Sequence, residues 1–407
     1  MRVLFISPHF PTDLRVKIHG VYKRMGLFIN AIKSLASIDF LYYVPPSFAL
    51  SPAAIADLEQ EFADYWQADI TLSFCHRSTR RHRILGRPNH VPGAFNFFEQ
   101  QPYKGVSGPS QVAALTACLA RKPDAIFAHR LQAMCPLMLT QAALPPIFLD
   151  LDDIEHVSLA RQIRQPAAYR KRGLGHSLYL PSLKRAELRA MRQAHRTFIC
   201  SERDRTYLSD QLNLPGVITI PNAIRLPPRQ PLTDEPTLLF IGSYTYQPNV
   251  AGADFLIERV WPHIHRAMPV AKLMIAGASP ERIRSYHTPP PGVKFTGFVE
   301  DLDQLYRQTR VVCCPILSGS GTRVKLIEAA AYGKPMVSTP IGAEGLSLID
   351  GEAIFLRNAP EIFAQTVVEL LQNKPLGQRL GNAAYDIALK QYDRARILQQ
   401  IQQHFQP

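Results

Sequence analysis

Two cations, Arg323 and Lys325, stand where a polar, glycine-containing segment (318–322) gives way to the helix-favouring run VKLIEAAAY. The N-terminus of a helix repels positive charge, so both side chains reduce stability there unless an anion lies beside them. Gly319 and Gly321 allow backbone N–H groups to approach such an anion closely. The spacing therefore predicts a site for a multiply charged anion, and a diphosphate carries enough charge for both cations.

Glu328 is a candidate partner for a hydroxyl-bearing part of the same ligand. It lies one helical turn beyond Val324 and two turns beyond Ser320, so these residues share one stripe of the predicted helix. A carboxylate at that distance from a phosphate site is well placed to accept hydrogen bonds from a ribose diol. The alternative is a surface ion pair between Lys325 and Glu328, although the apolar residues that follow favour burial of the stripe.

Two sheets are needed to position these residues. Apolar, β-branched runs alternate with helical stretches in both halves of the chain, which predicts parallel sheets covered by helices. Four prolines in RLPPRQPLTDEP separate the two halves and indicate a linker. We therefore predict an α/β protein of two doubly wound Rossmann-like domains, residues 1–225 and 237–385, joined by a linker at 226–236 and facing each other across a cleft. The runs are RVLFIS, IDFLYYV, DITLSF, DAIFAH, PIFLDLD, RTFICS and VITIPN, then TLLFIGS, KLMIAG, VKFTGFV, RVVCCPIL, KPMVSTPI and EAIFLR.

The positive charge of the chain is concentrated in its first half. Residues 1–229 hold 29 Lys and Arg against 17 Asp and Glu, whereas residues 230–407 hold 17 against 16. The densest clusters are 75–87 and 161–192. An anionic membrane surface or a polyanion fits such a face, and a solvated surface without a partner is the alternative. Because the clusters lack interleaved aromatic residues for stacking on bases, we expect no nucleic-acid binding.

Other features of the sequence exclude several classes of protein. The N-terminal MRVLFISPHF is too short for a signal-peptide core, and no run of about 18 apolar residues is present, so we expect a cytoplasmic protein. Its six cysteines lack metal-binding spacing and are expected to be reduced and buried. A DxD string in residues 150–153 is of the kind that binds divalent cations, but it continues an apolar run, so we expect no metal site. No cofactor motif is present, and the sequence does not indicate an oligomeric state.

The segment GSGTRVKLIEAAAYGKPMVSTPIGAEGL resembles the second-domain signature of GT-B glycosyltransferases, most closely family 4, the group 1 transferases. ISPHFP, PDAIFAHR, FICSERDRTYL, ITIPNAI and VKFTGFVEDLDQLY follow the same family in order, so the similarity covers the whole chain. The resemblance implies a GT-B fold with a C-terminal helix, residues 386–407, that packs back on the N-terminal domain. It also implies a retaining, metal-independent hexosyltransferase that needs no cofactor and uses a nucleotide-diphosphate sugar as co-substrate.

The family likeness further implies an acceptor and a setting. The acceptor is a glycan or lipid-linked glycan of bacterial surface polysaccharide or lipopolysaccharide assembly, and it docks on the basic N-terminal domain at the inner face of the cytoplasmic membrane. Two other functions stay open. One is a non-catalytic sugar-nucleotide-binding protein, and the other is a different GT-B enzyme such as a nucleotide-sugar epimerase.

The resemblance assigns roles to individual residues. Glu328 matches the second glutamate of the family's E-x7-E element and would hold the donor ribose, whereas Ser320 stands where the first glutamate is usual. In much of the family an Arg and a Lys follow the first strand of the second domain and clamp the diphosphate. Here Ser243 and either Gln247 or Asn249 stand at those positions, so Arg323 and Lys325 would supply the two positive charges instead. His129 matches a histidine placed against the transferred sugar, with a capping or core role as the alternative. The remaining donor-binding positions are Gly20, Gly242, Gly277, Phe298, Val299, Gly321 and Thr322.

Overall fold

The computed structural model describes residues 1–11, 14, 20–49, 51–79, 83–84, 87–88, 91–164, 174–229, 231–319 and 321–405. Within these residues the chain divides into two compact units. The first unit extends from the N-terminus to Ile220 and takes in the chain again from Leu398. The second unit lies between them, from Pro221 to Ile397.

The first unit is built on a sheet of seven parallel strands. These are β1 (Arg2–Ser7), β2 (Ser37–Val44), β3 (Ile70–His76), β6 (Ala125–His129), β7 (Ile147–Asp152), β8 (Arg196–Ile199) and β9 (Val217–Thr219). Their order in the sheet is β3-β2-β1-β6-β7-β8-β9. Between β3 and β6 in the chain, β4 (Arg83–Ile84) and β5 (Arg87–Pro88) form a separate antiparallel pair. The helices are α1 (Gly20–Ile32), α2 (Pro52–Trp66), α3 (Val91–Phe95), α4 (Pro109–Leu119), α5 (Leu131–Leu139), α6 (Glu155–Arg164), α7 (Leu180–Gln193) and α8 (Glu202–Thr206).

The second unit contains a six-stranded parallel sheet. Its strands are β10 (Thr237–Ile241), β11 (Lys272–Ala276), β12 (Val293–Gly297), β13 (Val311–Cys314), β14 (Met336–Ser338) and β15 (Phe355–Leu356). They are arranged in the order β12-β11-β10-β13-β14-β15. The helices are α9 (Gln247–Phe255), α10 (Trp261–Ala267), α11 (Leu302–Arg307), α12 (Val324–Ala331), α13 (Pro360–Gln372), α14 (Lys374–Gln391) and, at the end of the chain, α15 (Arg394–Phe405).

The central strands are buried on both faces because helices cover both sides of each sheet. In β1 every residue after Arg2 is buried, and all four residues of β13 are buried. Such strands appear in a sequence as continuous apolar runs, which is how they were predicted. The predicted α/β class with two doubly wound sheets is confirmed.

Both sheets reverse their strand order at one place. In the first unit the reversal lies between β1 and β6, and in the second it lies between β10 and β13. Ligands of open α/β sheets bind outside the carboxyl ends of the strands at this reversal. The loops after β1, β6, β10 and β13 are therefore the places to look for a functional site.

The segment expected to be a linker is packed against the second unit. Leu232 is 3% exposed, and the carbonyl oxygen of Thr233 accepts a hydrogen bond from Arg310 at 2.8 Å. The prolines prevent this segment from joining the sheet or a helix, but they do not prevent it from burying an apolar side chain.

The chain ends in two helices, where the sequence indicated one from residue 386. The break lies between α14 and α15, where the backbone of Ile224 exchanges hydrogen bonds with Tyr392 and Arg394 at 2.9 and 3.0 Å. These bonds replace helical ones. The last turns of α15 belong to the first unit, since Phe405 stacks on Phe148 with 4.2 Å between ring centroids and Arg196 donates to the carbonyl oxygen of His404.

Among the described helices, none combines the length and the apolar composition that a membrane crossing requires.

Candidate functional site

The loop that follows β13 leads directly into the N-terminus of α12. Gly319 and Gly321 have φ angles of +113° and +70°, in the left-handed region that favours glycine. Arg323 is the N-cap residue of α12, and Lys325 lies in the first turn. Both cations thus stand at the positive end of a helix and at the strand-order reversal of the second sheet.

Arg323 is folded back onto its own loop. The residue is 8% exposed, and its guanidinium donates to the carbonyl oxygens of Gly321 at 2.9 Å and Ser318 at 3.4 Å. A Cβ at Gly319 would lie 2.8 Å from the Nη2 atom of Arg323, so a larger residue there would displace the guanidinium. The loop therefore holds the positive charge in one place.

Lys325 connects this loop to the one that follows β10. Its ammonium donates to Oδ1 of Asn249 at 2.8 Å, and Nδ2 of Asn249 donates in turn to the carbonyl oxygen of Ser243 at 2.8 Å. These two partners fix the orientation of the amide. The Lys325 ammonium also lies 4.3 Å from the ring centroid of Phe240, a favourable cation–π distance.

The pKa of Lys325 is lowered from 10.5 to about 8, chiefly because burial disfavours the charged form. The neighbouring Arg323 guanidinium lowers it further, whereas Glu328 raises it. An incoming anion stabilises the charged form of a buried lysine more than that of an exposed lysine, because it compensates for the hydration that burial has removed.

Gly242 and Gly277 bring the ends of β10 and β11 into direct backbone contact. The N–H of Gly242 donates to the carbonyl oxygen of Ala276 at 3.0 Å, and Gly277 has a φ of +132°. A Cβ on Gly242 would lie 2.8 Å from both the Lys325 ammonium and the Asn249 amide nitrogen. The structure thus brings together Gly242, Ser243, Asn249 and Lys325, all of which the sequence had placed at the donor.

Glu328 is 5% exposed, one turn behind the two cations on α12. Because it is buried and Lys325 reaches across to Asn249, a solvent-exposed pair between Lys325 and Glu328 does not describe this helix. Thr322 accepts a hydrogen bond from Nδ2 of Asn222 at 2.9 Å. The sequence did not single out Asn222, although it lies in the ITIPNAI motif that carried part of the resemblance.

Phe298 and Val299 follow β12 at the edge of the same sheet. Gly297, with a φ of +68°, turns the chain, and the Phe298 side chain is then 46% exposed. Val299 is partly buried and packs against the hydrophobic core of the second unit. An aromatic ring that is half open to solvent at the carboxyl end of a parallel strand is available to stack on a planar ligand.

In the first unit, His129 ends β6 beside the strand-order reversal. It is fully buried, and its Nδ1 atom pairs with the Ser7 hydroxyl at 2.9 Å, while Nε2 has no hydrogen-bond partner among the described residues. Burial holds the pKa of His129 well below its usual range, and the nearby His9 and Arg130 add to the effect. The imidazole is therefore neutral and enclosed, and it contacts a sugar only if the residues that cover it move.

Asp150 and Asp152, in the last residues of β7, are neutralised by arginines. Asp150 forms hydrogen bonds with Arg24 at 2.8 and 3.0 Å, and Asp152 pairs with Arg130 at 2.5 Å. Ligand atoms of Asp152, Asp153 and Cys200 lie within 4.8 Å of one another, a distance that a metal ion could span. Burial raises the pKa of the Cys200 thiol, however, and that thiol donates to the carbonyl oxygen of Asp152 at 3.0 Å. A protonated thiol and arginine-paired carboxylates are poor metal ligands.

The structure describes only some of the remaining predicted positions. Gly20 is the exposed first residue of α1. Ser320 lies outside the described residues, as do 80–82 and 85–86 of the first basic cluster and 165–173 of the second. The six cysteines are free, and all except Cys75 are buried.

Residues 235–373 match the family model described as "Glycosyl transferases group 1". This match covers the strands and loops that carry Gly242, Asn249, Lys325 and Glu328. The second unit contains a glycosyl transferases group 1 domain. The resemblance found in the sequence is thereby confirmed for this domain.

Two curated proteins are similar to part of the chain. An uncharacterized 44.6 kDa protein in the cps region of Klebsiella pneumoniae is 24% identical over 172 residues, which is 40% of this chain and 44% of that protein. The phosphatidyl-myo-inositol mannosyltransferase of Mycobacterium leprae is 30% identical over 171 residues, 40% of this chain and 45% of that enzyme. The matched region therefore spans less than half the length of either relative.

Solved structures are similar along the whole chain. Sucrose-phosphate synthase from Thermosynechococcus elongatus aligns with a TM-score of 0.71 at 16% identity, over 99% of this chain and 98% of that one. HepE of Anabaena in complex with UDP-glucose aligns with a TM-score of 0.65 at 14% identity, over 99% of both chains. At such identities the likeness shows the fold, which is the GT-B fold with its two α/β domains.

Proposed function

We propose that this protein transfers a glycosyl group from a nucleoside-diphosphate sugar to a glycan or glycolipid acceptor. The observation that carries the proposal is the place of Lys325, whose partly buried ammonium lies at the strand-order reversal of a glycosyl transferases group 1 domain. UDP-glucose in the HepE complex supports a nucleotide sugar as the donor. The curated phosphatidyl-myo-inositol mannosyltransferase supports a glycolipid product.

The donor's diphosphate would bind between the loops after β10 and β13. Lys325 would exchange its contact with Asn249 for a phosphate oxygen, and Arg323 would add a second charge from the N-cap of α12. When the bond between the sugar's anomeric carbon and the phosphate breaks, negative charge grows on the departing diphosphate. Cations that are already in place stabilise this charge without reorganising, which is electrostatic catalysis without a metal.

We propose further donor contacts. Glu328, buried one turn behind the cations, would accept the ribose hydroxyls, and Phe298 would stack on the base. The family resemblance alone assigns contacts with the sugar to Gly20 and His129, and His129 would make one only after the residues over it move, since it is fully buried. The transferred sugar would keep its anomeric configuration.

We also assign the acceptor and a membrane surface to the first unit. α3 and the turn at 174–179 are joined by Gln100, whose side chain donates to the carbonyl oxygens of Gly93 and Tyr179. This pair of elements presents exposed apolar side chains: Val91, Phe95 and Leu178 are 58%, 83% and 55% exposed. Apolar side chains beside clusters of Arg and Lys favour binding at the surface of an anionic membrane.

Vesicle flotation tests the membrane assignment. The full chain should float with phosphatidylglycerol vesicles at low salt and much less with phosphatidylcholine vesicles or at high salt. Phe95→Ser should reduce flotation, whereas Leu389→Ser, which removes an exposed apolar side chain of the second unit, should not. Equal partitioning onto neutral and anionic vesicles, insensitive to salt, would remove this part of the proposal.

Slow hydrolysis of the donor tests the proposed reaction. The purified protein is incubated with UDP-, GDP- and ADP-sugars, and release of the nucleoside diphosphate is followed with time. One donor should be hydrolysed, and Lys325→Ala should slow the release by about 100-fold or more because a contact to the leaving group is lost. Lys294→Ala, which removes an exposed lysine from the same unit, should leave the rate unchanged. Tight binding without release from any donor would favour a sugar-nucleotide-binding protein instead.

A further inference from the structure

A cavity lies in the first unit, away from the strand-order reversal. A cavity of about 440 Å³ is formed by one face of α6, the beginning of α7 and Tyr207. Small-molecule sites typically occupy about 300–1,000 Å³. The cavity is thus large enough for part of a ligand, and none of the donor-site residues lines it.

Three cations line this cavity. Arg161 and Arg164 lie in the last turn of α6, where the negative end of the helix dipole favours positive charge. Lys184 lies in the second turn of α7, beyond the reach of the dipole at the N-terminus of that helix. The helix dipole therefore accounts for the two arginines but not for the lysine that joins them at the cavity.

The rest of the lining is mostly apolar. Val157 and Ala160 come from α6, and Leu180 and Pro181 come from the first turn of α7. These apolar side chains would add no affinity for an inorganic anion, and the cations would add no affinity for an uncharged lipid. The combination complements a ligand with an anionic head and an apolar chain.

The polar wall of the cavity is fixed before any ligand binds. Nδ1 of His156 pairs with a carboxylate oxygen of Glu187, and Nε2 of His156 pairs with the Tyr207 hydroxyl at 3.0 Å. Glu187 is fully buried and also accepts the backbone N–H of Glu155 at 2.7 Å and of His156 at 3.2 Å. Because these hydrogen bonds engage the Glu187 carboxylate, its charge opposes an anion in the cavity less than a free carboxylate would.

We infer that this cavity binds a lipid phosphate, with the phosphate held by Arg161, Arg164 and Lys184 and the first carbons of the chain lying on Val157, Leu180 and Pro181. The inference rests on the first unit alone. It holds or fails independently of nucleotide binding in the second unit.

Calorimetric titration of the full chain with n-octyl phosphate, below its critical micelle concentration, tests the inference. Octyl phosphate should bind at least about tenfold more tightly than either inorganic phosphate or octyl glucoside, because only octyl phosphate satisfies both parts of the cavity. Lys184→Ala should weaken octyl phosphate binding about tenfold. Arg185→Ala removes the next cation on α7, which is exposed and does not line the cavity, and should change nothing.

A second variant tests the apolar part of the cavity lining separately from the cationic part. Leu180→Ala should weaken octyl phosphate and leave the affinity for inorganic phosphate unchanged. Lys184→Ala should keep the far-UV circular dichroism and the urea-denaturation midpoint of the wild type, which shows that the variant is folded. Equal binding of octyl phosphate and inorganic phosphate, or equal losses in Lys184→Ala and Arg185→Ala, would overturn the inference.

Discussion

A side-chain carbon built on Gly277 would lie 1.8 Å from the carbonyl oxygen of Gly242. No real Cβ approaches backbone so closely, so the two loops beneath the proposed diphosphate site can keep their spacing only while residue 277 is glycine. The φ of +132° at Gly277 is a second reason, since side-chain-bearing residues rarely adopt it.

Gly277→Ala should therefore destabilise the protein and disrupt nucleotide binding. The combination of overpacking and backbone strain should cost about 2–4 kcal/mol, measured by urea denaturation. Gly351→Ala is the matched control, because Gly351 has a φ of +80° but no atom within 4 Å of an added Cβ. It should cost about 1 kcal/mol and leave nucleotide affinity intact. Equal costs for the two variants would contradict the close contact at Gly277.

The lowered pKa of Lys325 predicts a pH dependence of diphosphate binding. Affinity for the tightest-binding of UDP, GDP and ADP should fall above about pH 8, by up to tenfold per pH unit, as the ammonium loses its proton. Calorimetric titration across this range measures the effect. Lys325→Arg keeps its charge and should bind with little pH dependence, whereas Lys325→Met should bind weakly at every pH. A wild-type profile as flat as that of Lys325→Arg would exclude Lys325 as the titrating contact.

The same lysine affects folding stability with the opposite sign. Between about pH 8 and pH 10.5 the unfolded chain binds a proton at Lys325 that the folded chain does not. The contribution of this group to the free energy of unfolding therefore rises with pH across that interval. The difference in unfolding free energy between wild type and Lys325→Met should shift in favour of wild type as the pH is raised, which urea denaturation at several pH values measures.

Removal of divalent cations should leave donor binding and turnover unchanged. Arg24 and Arg130 already neutralise the carboxylates of Asp150 and Asp152, and in the proposed mechanism the positive charge at the diphosphate would come from Arg323 and Lys325. Nucleotide release should proceed at the same rate with EDTA as with added magnesium or manganese. A loss of activity in EDTA that either metal restores would show that a cation takes part in the reaction.

Phe298→Ala should weaken binding of the base without affecting the diphosphate. Stacking of a base on an aromatic ring is worth about 1–3 kcal/mol, so affinity for the nucleoside diphosphate should fall about tenfold. Affinity for inorganic pyrophosphate should not change. Ile349→Ala, which removes another exposed apolar side chain of the second unit, serves as the control and should bind both ligands normally. If pyrophosphate binding falls as well, Phe298 supports the site indirectly.

Much of the fold could be predicted from the sequence because its parallel strands are buried on both faces. Runs such as VVCC in β13 have few alternatives in a soluble protein. The break between α14 and α15 could not be predicted in the same way. It depends on hydrogen bonds between Ile224 and Tyr392 and between Ile224 and Arg394, residues that are far apart in sequence, while the local amphipathic pattern continues through the break.

The candidate site likewise combines features that the local sequence predicts with features that depend on contacts between distant residues. Glycines and cations at the start of α12 are a local signal, and they identified this loop. The contact of Lys325 with Asn249 joins the first turns of two helices that are far apart in sequence, so the sequence suggested Asn249 only as a substitute within a family pattern. The complete burial of His129 depends on packing around β6 and carries no local signal.

The stacking of Phe405 on Phe148 has a consequence for how the protein is made. Because the first unit includes residues from Leu398 onward, a ribosome must translate the whole second unit before the first can be completed. The growing chain would hold β6 and β7 without this aromatic cover for most of its synthesis. A chain halted at the linker would be an unfinished domain, so production of the N-terminal half by itself calls for the last helix to be supplied in trans or fused after Ile220.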